Sequence, residues 1–150
     1  MSTTEKLLLG SQTTLLSTEL NSLAASAWTA AGSAFDNTQG ATGDGYILCD
    51  IELVCTLAAN ATANTGFMLW LLRSQDGTNY EDTPTSTVGL NRAPDAFLPY
   101  TTGQTTTRVC VQALLPPGKF KPVGQNTDAS HAMSASGNTI KIRPIARQQV

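Results

Sequence analysis

Few residues of the chain could do acid–base or nucleophilic chemistry. The one histidine, His131, lies in a polar segment between Asp128 and Ser136. A Ser-His-Asp relay would use it as base, but no Gly-x-Ser-x-Gly elbow accompanies it, so His131 is expected to be a lone surface residue. Cysteine catalysis would need His131 beside one of three cysteines, all of which read as buried. Cys49 and Cys55 sit six positions apart in one apparent strand, with Cα atoms roughly 20 Å apart and beyond disulfide reach. No spacing resembles a zinc knuckle, and the three thiols are expected to be small core residues in a chain made in a reducing cytosol. A glycosidase needs two carboxylates, and Asp50, Glu52, Asp76, Glu81 and Asp82 are present, but no spacing marks an acid and base pair.

Two loop motifs invite a ligand. The segment from Asp76 to Asp82 has oxygen donors that suit Ca²⁺ but lacks the Asp-x-Asp-x-Asp-Gly rhythm, so an Asx turn around Asp76 and Asn79 is expected. No Gly-x-x-x-x-Gly-Lys loop is present to cradle phosphate. Lys119, Lys121, Lys141, Arg143 and Arg147 are too few for an RNA platform; the last three give the C-terminal end a local positive charge that could meet an acidic partner. No cofactor, nucleic acid or membrane partner is expected.

The elements that would position these residues follow from composition and periodicity. The chain has 150 residues, 41% of them hydrophobic and only 13% charged, with a formal net charge of -2. One domain of this size buries about two-thirds of its unfolded surface, enough for a core without staples. The low charge disfavours a helical bundle, a basic nucleic-acid binder and a charge-driven disordered tail. No stretch approaches the length of a membrane span, and Leu7-Leu8-Leu9 after Lys6 is too short for a signal-peptide core, so a soluble protein is expected.

Alternation with period two dominates the chain. It predicts strands over Tyr46 to Leu57, with Cys49, Ile51, Leu53 and Cys55 inward, over Val109 to Leu115, and around Ile140 and Ile142. Phe67 to Leu72 is apolar on both faces, which predicts a central strand or one whose outer face meets another subunit. Weaker strands are predicted over Ala27 to Phe35, Phe97 to Tyr100 and Lys119 to Val123. Leu16, Leu20 and Leu23 hint at a short helix. Turn signals separate the strands, so the fold class is all-β, an antiparallel sandwich or barrel. Residues 1–15 have no evident place in a sheet and are expected to be an extended N-terminal arm on a single domain spanning 16–150.

Several strings in order, Leu20-Asn21-Ser22-Leu23, Phe35-Asp36-Asn37, Ser74-Gln75-Asp76-Gly77-Thr78-Asn79-Tyr80, Pro116-Pro117-Gly118-Lys119-Phe120 and Ser136-Gly137-Asn138-Thr139, resemble the small jelly-roll cement or head-decoration proteins of tailed phages and prophages. The resemblance implies a β-sandwich of jelly-roll type and a non-enzymatic role. It implies subunits made in the bacterial host cytoplasm that bind the outer surface of the virion head and bridge neighbouring major capsid proteins. They would self-associate as a homodimer, or else a trimer. Pro122 and Gly124 depart from the family pattern, which predicts that their strand is an edge or ends early. Leu7, Leu8 and Leu9 are then candidates to dock on the capsid or a sister subunit, together with Lys141, Arg143 and Arg147. Met68, Trp70 and Leu72 either form an interface or belong to the core. The alternative is a receptor- or carbohydrate-binding jelly-roll module of a tail, fibre or baseplate, which would display Trp28 beside Tyr80. A cupin-like enzyme is third, since one histidine cannot furnish its metal centre.

Overall fold

The computed structural model describes residues 5–38, 46–85 and 88–149. The glycine-rich segment 40–45, one of the turn signals in the sequence, lies outside them. The chain is all-β, with strands β1 (Glu5–Leu9), β2 (Thr13–Leu16), β3 (Phe35–Asn37), β4 (Leu48–Thr56), β5 (Gly66–Ser74), β6 (Ala96–Pro99), β7 (Thr106–Leu114), β8 (Gly118–Asn126) and β9 (Thr139–Gln149). Two antiparallel sheets face each other. One runs β1-β9-β4-β7, with β2 also on β9; the other runs β3-β8-β5-β6. The pairing is nested: β1 and β2 meet β9, β3 meets β8, β4 meets β7 and β5 meets β6. Two further pairings, β4 with β9 and β5 with β8, complete the sheets.

Period-two alternation generates the core. Along β4, Cys49, Ile51, Leu53 and Cys55 are buried, while Leu48, Asp50, Glu52, Val54 and Thr56 are half-buried on the other face. Ile140 and Ile142 of β9 join them, opposite Phe67, Leu69 and Leu71 of β5, Leu98 of β6 and Phe120 of β8. Where a helix was expected, only a 3-10 turn at Thr18–Leu20 forms, and it sends Leu20 into the core. Leu16 and Leu23 are also buried.

The described part of the expected arm, residues 5–15, is not free. Glu5–Leu9 lines up with Gln149–Ile145, and Thr13 and Thr14 with Ile142 and Lys141, so β1 and β2 are one interrupted edge strand. The cause lies across the ladder. Pro144 has no N–H to donate, and although Gly10 N still reaches Pro144 O at 2.8 Å, the chain leaves the ladder through Ser11 and Gln12.

The prediction for Pro122 is also overturned. β8 is an inner strand that continues through Pro122 to Asn126. The flank that Pro122 leaves without a donor faces no regular strand. Gly32 N donates to Pro122 O, Thr29 N to Gly124 O and Asn126 N to Ala27 O, so an irregular segment completes that side. For the same reason the expected strand over Ala27 to Phe35 reduces to a single bridge, Trp28 with Gln125, before β3 begins. Gly124 permits this close packing: a Cβ there would collide with the Phe67 ring and lie 2.7 Å from Met68 O.

Candidate interaction surface

The groups that could do chemistry are engaged in holding loops. Asp128 is fully buried, and its carboxylate accepts hydrogen bonds from Thr62 N at 3.0 Å, Ser130 N at 2.9 Å and His131 N at 3.1 Å. Burial opposes its ionisation, but these bonds outweigh it and hold the carboxyl well below the usual range. His131 Nδ1 lies 3.2 Å from Asp128 Oδ2. The histidine is thus half-buried and partnered, contrary to its expected place as a lone surface residue. Asp76 forms the expected Asx turn, accepting from Asn79 N at 2.7 Å, Thr78 N at 2.8 Å, Asn79 Nδ2 at 2.7 Å and Ser74 Oγ at 3.1 Å. The bonds from Asn79 and Thr78 lower its pKa. Among the described residues no group of three or more His, Cys, Asp or Glu is placed to hold a metal ion. Burial pushes the Cys49 and Cys55 thiols up to about 12, whereas Cys110, expected in the core, is exposed on edge strand β7.

Over β5 and β8 the outer face of the second sheet is covered by the chain itself, while Phe97 of β6, opposite Met68, is 42% exposed. Leu72 is fully buried and Trp70 is 4% exposed, in a small second core with Val123 that Trp28, Met68 and Leu90 complete. Trp70 Nε1 donates to Arg92 O at 3.1 Å, fastening the loop before β6. Arg92 ties that loop down through Asp95 at 2.8 Å, Glu81 at 3.0 Å and Leu71 O at 2.9 Å. Trp70 and Leu72 therefore cannot anchor a partner, and Met68 is half-buried beside them. Two loops, not a second subunit, meet this strand's apolar outer face. Trp28 and Tyr80 do not form a paired platform either: Trp28 packs on Trp70, while Lys121 Nζ sits 4.5 Å over the Tyr80 ring.

The outer face of the first sheet is charged in its middle. Lys141 stands opposite Glu52 and Arg143 opposite Asp50. Glu52 also takes two hydrogen bonds from Arg108, at 2.9 and 3.0 Å. The expected positive patch is thus interleaved with carboxylates supplied by β4. The backbone of Arg147 pairs with Leu7, and its side chain lies outside the described residues.

The exposed apolar surface gathers at one end of this sheet. Leu7, Leu8 and Leu9 are 68, 52 and 51% exposed. Beyond Ile145, β9 leaves β4 behind and pairs with β1 alone, so Leu7 and Leu8 ride on a two-stranded ribbon and Leu9 stands where it joins the sheet. Across the strands Leu9, Ile145, Leu48 and Leu114 pair in one row, in which Leu9 and Leu114 are exposed, Leu48 is half-buried and Ile145 is buried. Leu114 is 74% exposed, and with Ile47, Pro116, Pro117 and Arg73 it borders a cleft of about 380 Å³. Leu48, Ile47 and Leu114 were missed as site residues, although a signal existed. Leu48 and Leu114 fall in the polar phase of strands whose other outward residues include Asp50, Glu52, Arg108 and Gln112. A leucine in that phase is either covered by something else or meant to be. Compared with protein-family models, with curated proteins and with solved structures, the chain matches none.

Proposed function

We propose that this chain is a cement protein of a tailed-phage head, a jelly-roll sandwich that binds the outer surface of the capsid, bridges neighbouring major capsid proteins and stabilises the virion. It self-associates, as a dimer in the first instance, and acts without a cofactor or a catalytic step. The jelly-roll reading is supported by the nested pairing of β1 and β2 with β9, β3 with β8, β4 with β7 and β5 with β6, the order left when one long antiparallel hairpin wraps into two Greek keys.

The functional reading is carried by one observation: the sandwich bares Leu7, Leu8, Leu9 and Leu114 at one end of its first sheet, while Val88 and Phe97 are exposed singly elsewhere. Exposed leucines in such a group call for a protein partner, and the sequence resemblance names the capsid as one. The resembling strings also have a structural meaning, because they lie at turns and loop clamps. Asn37 ties Tyr46 and Pro116 together, Asn138 ties Asn21 and Ser134, and Gly118 and Gly137 have φ of 78° and 83°. The test is to add purified protein to undecorated heads and sediment them. Near-stoichiometric occupancy against the major capsid protein is expected, with loss of that occupancy on deleting residues 1–12. No co-sedimentation would overturn the capsid reading, and binding to a glycan array would favour the receptor-binding alternative.

A further inference from the structure

The outer edge of β1 has no strand partner among the described residues. Its bonding direction follows from one contact. Gly10 N donates to Pro144 O, so Gly10 faces β9, and in an antiparallel ladder Leu8 and Lys6 then face β9 as well. Leu7 and Leu9 turn their N–H and C=O groups to the open side. Their side chains and that of Leu8 occupy opposite faces of the ribbon, and all three are exposed. An uncharged, proline-free run of this kind at an edge is a template for one more strand.

We propose that the added strand is β1 of a second copy, antiparallel to the first across a two-fold axis through Leu8. This register pairs Leu7 with Leu9 of the other copy in two hydrogen-bonded pairs, sets Leu8 against Leu8 between them, and places Lys6 opposite Gly10. A register centred on Leu7 would instead face Lys6 with Leu8. Only the axis through Leu8 lets every leucine meet a leucine, so the segment is its own complement. Both open edges close in one step, leaving no strand for a third copy.

The area available sets the strength. Three leucines more than half exposed, with the adjoining backbone, bury roughly 400 Å² per copy, about half of a standard interface. The expected dimer is therefore of micromolar strength in solution, and capsid attachment would reinforce it by holding two copies near each other. The inference rests on reading β1 as a self-association surface, not on binding to a capsid.

Analytical ultracentrifugation of the full chain should show reversible association to twice its 15.8 kDa. Leu7→Pro removes an outward N–H while sparing the bonds to β9. It should weaken the dimer about tenfold or more, with the melting temperature unchanged. In a Cys110→Ser background, Leu8→Cys should oxidise to a disulfide-linked dimer, because facing Cα atoms in a non-hydrogen-bonded pair lie about 4.5 Å apart. Leu7→Cys, displaced from its own symmetry mate, should not. A wild-type monomer throughout the micromolar range, or a trimer, would overturn the proposal. A dimer indifferent to Leu7→Pro and uncrosslinked by Leu8→Cys would overturn this strand pairing while leaving self-association in place. A crosslinked dimer that ignores phage heads would support the pairing and sink the capsid reading.

Discussion

Trp28 packs on Trp70 with ring centroids 4.7 Å apart and planes inclined at 41°, and this contact seals the outer face of β5. The loop that carries Trp28 is held to β8 by its backbone, and Trp70 in turn holds the loop at Arg92. Trp70→Ala should therefore lower stability by about 3–5 kcal/mol without changing the oligomeric state. Thermal melting and sedimentation of the variant read the two effects separately. A lost dimer with unchanged melting would restore Trp70 as an interface residue.

Asp128 makes the fold sensitive to acid. Its carboxyl titrates lower in the folded chain than in the unfolded one, so its contribution is fully present above the ordinary carboxyl value of about 3.9 and is lost as the pH falls through the folded value. Melting temperature should fall steeply below about pH 4, and less steeply in Asp128→Asn. At neutral pH Asp128→Ala should cost about 1–3 kcal/mol, since it removes the one carboxylate that accepts from the backbone N–H groups of Thr62, Ser130 and His131. An unchanged acid limb in Asp128→Asn would assign the sensitivity to other carboxyls, Asp76 among them.

The cysteines separate by accessibility. Ellman's reagent at pH 8 should titrate one thiol, Cys110, in the native protein and all three after denaturation. Cys49 and Cys55 are buried and hold their protons to about 12, which removes both access and thiolate. Cys110 itself should react more slowly than a free thiol, because partial burial and the carboxylates of Asp50 and Glu52 raise its pKa. Three fast thiols in the native state would contradict the burial of β4.

Gly124 tests the packing of β8 against β5 within the second sheet. Its missing side chain is the space filled by the Phe67 ring, so Gly124→Ala must push that ring or the β5 backbone aside. A loss of about 1–3 kcal/mol is expected. By contrast, Leu114→Ser should change stability by no more than about 0.5 kcal/mol, as an exposed position does, while weakening attachment to heads. Calorimetry of both variants distinguishes packing from surface.

Strands such as β4 and β9 were legible because one face of each is buried and the other is not, so the alternation of Ile51 and Leu53 with Asp50 and Glu52 states the fold directly. What escaped was set by partners distant in sequence. Nothing local to Glu5–Leu9 marks it as a strand, since its placement depends on Ile145–Gln149 at the other end of the chain. Pro122 looked like a strand breaker because the irregular segment along its flank, where Gly32 N donates to Pro122 O, lies some ninety residues earlier. The two-faced apolar run of β5 was read correctly as needing cover on both sides. Which body supplied the cover, loop or subunit, was a tertiary fact. The leucines of β1 were singled out by composition alone, and their register on a free edge came only with the sheet.

Nested pairing has a consequence for how the chain reaches this state. β9 lies between β1–β2 and β4, so an inner position of the first sheet stays vacant until β9 leaves the ribosome. Until then the paired faces of β1, β2 and β4 have no neighbour, and the leucine segment waits beside unfilled ladder positions. Closing so long a loop makes the final step slow, on the order of milliseconds to seconds for folds dominated by distant contacts. During that interval the nascent chain is at its most adhesive. The same hydrogen-bonding groups that finish the sheet would, in a stalled or truncated chain, recruit other chains instead.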